Sequence, residues 1–425
     1  MPYRFSIRTD FQALLCLLTG ILMPLSGASN VFAFQDEAPT PAAEEPACDL
    51  QAQFSIVNEL VTQADLDDHR RKSPDIDSAL SSGNLRGNAR DLIEYSAKIR
   101  VGELSRVTLR EEGELPETRQ KLLRYVDFRA KGQSKAYFLQ QLTTQAEKLL
   151  DNHIQVRLQA IFLLRGLNAE PANLTKGLPP VPYVGAFNVL LKVVEDPCQM
   201  DAVKIAAITG LNRICQDAQP KVEQRYRYST ALISELNAAN VHPWLQEACV
   251  RGLGAVDYLY DSDRKPVVVQ ELMKIVRDTK RLTTVRSEAA RSLGQCPLDS
   301  SLNVELIVHD IVKLSRDMSV KYNSSREKRL MTADFFRVYL TFRPIDEQAQ
   351  KANHGLIRQA SQAKLRTQKN RIDSAYRVVL PACNVVFSSG GKKIDDGTLK
   401  AITKWLADNK PANTDQVASN LPKLP

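Results

Sequence analysis

Glycine is scarce in this chain, at 18 of 425 residues, or about 4% against a usual level of roughly 7%. Aromatic residues make up only 6%, which argues against a β-rich sandwich or barrel and leaves helix as the default. Several signatures of chemistry are missing too. None of the five histidines is followed by glutamate and no two stand at i, i+4, so there is no zincin motif. Neither G-x-S-x-G, G-x-G-x-x-G nor C-x-x-C occurs. The hydrophobic share of 43% and the charged share of 25% exclude wholesale disorder and a polytopic membrane protein. The length allows two or three ordinary domains or one elongated repeat array.

The N-terminus carries a different pattern. Arg4 and Arg8 precede an uncharged apolar run from Ala13 to Leu25, and Val31-Phe32-Ala33 follows. A basic start, a short apolar core and small residues before a cleavage point read as a secretory signal peptide over residues 1–33. The run is too short for a comfortable membrane span. Cleavage is expected after Ala33, giving an exported chain, periplasmic or extracellular, with no transmembrane segment once mature. Residues 34–47 hold Asp36, Glu37, Glu44, Glu45 and three prolines without a basic residue, and are expected to be a disordered spacer. The formal charge of +8 is concentrated at the other end, where residues 351–425 carry 13 Lys or Arg against 5 Asp. Its densest piece, 358–371, is expected to be a solvated helix face or a contact to anionic lipid or envelope polymer; export disfavours nucleic acid.

Four segments of the middle share one pattern. Val156, Ala160 and Leu164 recur as Val203, Ala207 and Leu211, then Leu245, Cys249 and Leu253, then Val285, Ala289 and Leu293. An aliphatic residue at −4, a small one at 0 and leucine at +4 share one helical face. The small anchors 160, 207, 249 and 289 recur at a period near 40, and each motif is preceded by another apolar-periodic run. Prolines 171, 179, 180, 182, 197, 220, 243, 266 and 297 fall between these runs, where turns belong. A two-helix period of this length is the mark of an α-solenoid. Val285-Arg286-Ser287-Glu288-Ala289 through Leu293-Gly294 resembles the second helix of the HEAT-repeat (armadillo-like) family. The resemblance implies an all-α, right-handed α-solenoid of five to seven HEAT-like helix pairs. Residues 48–135 are then an N-terminal helical segment, 136–297 four repeats, 298–409 divergent repeats ending in a cap, and 410–425 a disordered tail. Within the flanks, helices are expected over 50–61, 89–99, 117–129, 354–365 and 372–380.

No residue set marks a catalytic centre, a metal or a cofactor. Asp65, Asp67, Asp68 and His69 read as a solvated turn, and Gly390-Gly391-Lys392-Lys393 as another turn. Asn173-Leu174-Thr175 and Asn323-Ser324-Ser325 are sequons. Six cysteines follow the apolar N-terminal run; six permit 15 pairings, and most are expected to be reduced and buried. The leading expectation is a non-enzymatic scaffold that binds a protein or another anionic partner through its inner helices. A hydrolase or lyase with a site assembled from dispersed residues is the alternative. At 100° per residue, Leu158, Phe162 and Ile205 point away from the core in the first two units, while Arg213, Arg251 and Arg291 do so further along. Either the helices before residue 130 cover the apolar three, or all six line a groove that is greasy at one end and basic at the other.

Overall fold

A computed structural model describes residues 48–345, 354–388 and 391–425. The signal-peptide and spacer assignments lie outside these residues. Residues Cys48–Pro425 form one compact unit. Among the described residues it is mostly helical, with one two-stranded ribbon, β1 (Asn168–Glu170) against β2 (Val181–Pro182). The first helices are α1 (Gln63–Ser81), α2 (Ala89–Gly102), α3 (Val107–Glu111), α4 (Leu115–Arg129), α5 (Gly132–Glu147) and α6 (Ile154–Gly166). The middle holds α7 (Phe187–Glu195), α8 (Asp201–Asp217), α9 (Val222–Asn237), α10 (Pro243–Ala255), α11 (Val267–Arg277) and α12 (Thr283–Gln295). The chain continues through α13 (Val304–Ser324), α14 (Thr332–Phe342), α15 (Leu356–Ala360), α16 (Lys369–Ser388) and α17 (Asp396–Asp408).

The helices pack in two rows. Helices α6, α8, α10, α12, α14 and α16 lie side by side in one, the second row, each touching the next. Helices α7, α9, α11 and α13 form the other, and α7–α8, α9–α10 and α11–α12 pair between rows. The anchor stripe explains the second-row contacts. Ala160, Ala207, Cys249 and Ala289 are all fully buried, and a small side chain there lets the neighbouring backbones close up. The stripe runs on as Met331 at the N-cap of α14 with Phe335 and Tyr339 inside it, and as Val379, Cys383 and Phe387 in α16, with Phe335 and Cys383 fully buried. Gly294 shows why glycine follows the motif leucine in α12. A Cβ there would collide with the Thr341 carbonyl of α14, while the Gly294 carbonyl accepts from Gly355 N at 2.7 Å and Gln359 Nε2 at 2.9 Å.

Capping sets the start of the second-row helices. His153 and His242 occupy the same place, seven residues before their anchors, and each Nδ1 accepts from the backbone N–H two residues on at 3.2 Å. That satisfies one orphan donor of the first turn. Upstream, α2 packs beside α5 and α4 beside α6, so the N-terminal segment prolongs both rows.

Several expectations need correction. Residues 50–61 hold one 3-10 turn, Ala52–Phe54, in place of a helix; Leu50, Phe54 and Val57, the i, i+4, i+7 face a helix would bury, are exposed, and the buried residues here are Gln53 and Val61. Asp65 to His69 lie in α1, where Thr62 and Asp65 form a capping box. The expected helix over 354–365 breaks into α15 and a 3-10 stretch at Ala363–Gln368. Helix α16 runs through Pro381 to Ser388: Pro381 is exposed, and the buried Ala382, Cys383 and Val386 hold the far side against the core.

The tail 410–425 is ordered by docking. Val417, Leu421 and Leu424 are buried. Asn303 Nδ2 donates to Asn413 O and Gln416 O, Gln270 Nε2 to Pro422 O, and Arg277 Nη2 to Thr414 O. Cys48 and Cys198 form a disulfide, while Cys215, Cys249, Cys296 and Cys383 are buried free thiols. Burial raises the Cys215, Cys296 and Cys383 thiols to about 12, so they stay protonated.

Candidate functional site

The outward face of the second row is where the sequence places its candidate residues, and the structure divides it into three stretches. At the N-terminal end, Leu158, Phe162 and Ile205 are partly buried and pack against the core. Helix α4 lies against α6 and supplies the cover. The Arg119 guanidinium sits 5.2 Å from the Phe162 ring centroid and donates to Gln159 Oε1 at 2.5 Å, and Leu123 fills the space beside Gly166. The apolar docking groove is therefore absent at Phe162, because the N-terminal segment closes it.

The middle stretch is not a basic surface. Arg251 reaches Glu247 at 2.6 Å and Glu288 at 3.4 Å, and Arg291 reaches Glu288 at 3.0 Å. Arg337 of α14 joins all three acids, Glu288 at 2.7 Å, Glu247 at 2.8 Å and Asp334 at 3.1 Å. Three guanidiniums thus meet three carboxylates across α10, α12 and α14, and Ser287 Oγ adds a hydrogen bond to Asp334. The Glu288 side chain is 0% exposed and that of Arg251 is 49%. Burial pushes the Glu288 carboxyl up, but Arg291, Arg251 and Arg337 outweigh it and the net shift is downward. Burial dominates at Asp334, which is raised. Arg251 and Arg291 are consequently components of the array's own cohesion, and the expected basic groove there is lost.

Arg213 belongs to a third stretch. Its Nη1 donates to the Arg165 carbonyl at 2.7 Å and its Nη2 to Asn168 Oδ1 at 2.5 Å. Both acceptors are neutral. Burial lowers Arg213 and Arg119, and Arg165 adds a repulsive push on both. Arg119 is 6% exposed. Arg119 and Arg165 escaped the sequence reading, Arg119 because it arrives from outside the repeats and Arg165 because it stands one residue past the leucine of the motif.

In the basic segment, Arg371 pairs with Glu305 at 3.3 Å and Lys369 with Asp373 at 2.6 Å, while Lys364 and Arg366 are exposed. Among the described residues, no group of three or more His, Cys, Asp or Glu side chains is placed to hold a metal ion. His69 is buried against Ser96 at 3.2 Å, held down to about 4 by burial and by Arg100. Of the two sequons, Asn323 is tied by both amide atoms to the Ile394 backbone, whereas Asn173 lies on the exposed β1–β2 loop. Comparison with protein-family models and with curated proteins finds no match to this chain.

Proposed function

We propose that this chain is an exported, non-enzymatic scaffold, a right-handed α-solenoid of HEAT-like helix pairs that binds a partner protein along its second-row face. The observation that carries the reading is the unbroken row α6–α8–α10–α12–α14–α16, one extended face built from successive helix pairs. Such a surface suits an elongated partner. The Cys48–Cys198 bridge supports export, since disulfides persist in oxidising compartments. No helix of the described residues is long and apolar enough to cross a membrane.

The dispersal of the histidines weighs for a scaffold over a hydrolase or lyase. His69 is in α1, His153 and His242 cap different helices, and His309 is in α13. Cross-linking in intact cells, followed by mass spectrometry of the captured complex, tests the reading. A mature chain beginning at Phe34 and joined to one discrete protein supports it. A chain that keeps residues 1–33 or stays uncomplexed overturns it.

A further inference from the structure

We infer that Arg165 and Arg213, with the buried Arg119 adding its charge from behind them, form the docking site for an extended acidic peptide segment of the partner protein. The inference rests on the scaffold reading and narrows it to one end of the second row. These residues come from three neighbouring helices, α4, α6 and α8. Arg119 is buried over Phe162 and, among the described residues, is bonded only to the amide oxygen of Gln159. Arg213 spends its fork on a backbone carbonyl and on Asn168. Arg165 stands between them with its stem against Gly210 of α8. It is exposed, and its guanidinium makes no hydrogen bond or ion pair among the described residues.

The contrast with the middle of the row points to a ligand. There, three arginines face three carboxylates. Here, three arginines share only neutral acceptors, and the nearest acids, Asp217 and Asp127, act on Arg213 without pairing with it. Asp127 is already engaged with Lys135 at 3.6 Å and with Asn168. Clustered like charges cost stability unless a counter-charge arrives. Arginine forks fit carboxylates in a bidentate way. The cations are strung across three helices, not gathered on one point. With helix axes about 8–10 Å apart, the two accessible cations, Arg165 and Arg213, lie about 10 Å apart, the length of roughly three extended residues. That spacing suits several carboxylates on one peptide better than a single phosphate.

The test uses the mature chain and a fluorescein-labelled octaglutamate peptide, read by fluorescence anisotropy. Arg165→Glu is the informative variant, because that guanidinium supports nothing else. The expected result is salt-sensitive binding that weakens about tenfold in R165E, with no loss of thermal stability, since the change also relieves the repulsion on Arg119 and Arg213. Binding should be untouched in Arg251→Gln, whose guanidinium the array already neutralises. No binding, equal binding by R165E, or equal loss in R251Q would overturn the inference. So would displacement of the peptide by inorganic phosphate, or preferential binding to phosphatidylglycerol vesicles. A photo-cross-linker at Thr209, exposed on the same face of α8, separates the two levels. Partner capture that persists in R165E sinks this site and leaves the scaffold reading standing, while capture from no second-row position sinks both.

Discussion

Glu288→Gln should be the most damaging isosteric change in the chain, and its cost follows from the ion network. The glutamine keeps the shape but removes one of three negative charges, leaving Arg251, Arg291 and Arg337 with two carboxylates. Stripping one partner from a buried ion pair costs about 3–5 kcal/mol. The lower end applies, since Arg337 keeps Glu247 and Asp334 and Arg251 is half exposed. We expect a loss of about 3 kcal/mol in urea unfolding at pH 7, followed by far-UV circular dichroism. Arg251→Gln, removing a half-exposed cation, should cost less than about 1 kcal/mol. The pH dependence supplies a second signature. Glu288 is held below its ordinary 4.5, so its contribution is complete above that pH and is lost as pH falls through the folded value. E288Q should lack this acid loss. A cost below about 1 kcal/mol for E288Q, or equal costs for the two variants, would refute the claim that these residues hold α10, α12 and α14 together.

The disulfide and one histidine give further tests. The Cys48–Cys198 bridge closes a sequence separation of 150 residues, for which the chain-entropy relation sets a ceiling of about 5 kcal/mol. Cys48→Ser with Cys198→Ser should therefore lower stability by about 2–5 kcal/mol, and non-reduced mass spectrometry should show one bridge and four thiols that alkylate only after unfolding. Three bridges, or none, would contradict the cysteine assignment. His69, at about 4 in the fold against an ordinary 6.5, contributes stability that is present above pH 6.5 and lost as pH falls toward 4. That loss should amount to about 2–3 kcal/mol, and His69→Gln should flatten the stability profile across this window. An unchanged slope would show that His69 is not buried as a neutral ring.

The repeat was legible because its signal is local. Anchors at 160, 207, 249 and 289 and prolines in the turns need only one helix at a time to be read. What escaped depends on neighbours distant in sequence. Arg251 and Arg291 looked open because the acid they share, Glu288, is buried by a helix outside the motif, and Arg337, which binds Glu288 and Glu247 there, stands 90 residues from Glu247. Phe162 is covered by Arg119, which sits outside the repeat. The tail looked disordered, yet Val417, Leu421 and Leu424 are buried and its backbone is held by Gln270 and Arg277 of α11 and by Asn303 at the start of α13, which no local pattern announces. Pro381 looked like a helix end, and packing of the opposite face carried the helix past it.

The central claim, that partners dock on the second row, is tested most directly by photo-cross-linking in living cells from one exposed position in each row. Thr209 on α8 and Ser234 on α9 are both exposed and belong to opposite rows. The account predicts a discrete cross-linked species from Thr209 and none from Ser234. The same species from Ser234 alone, or equal yields from both, would contradict it.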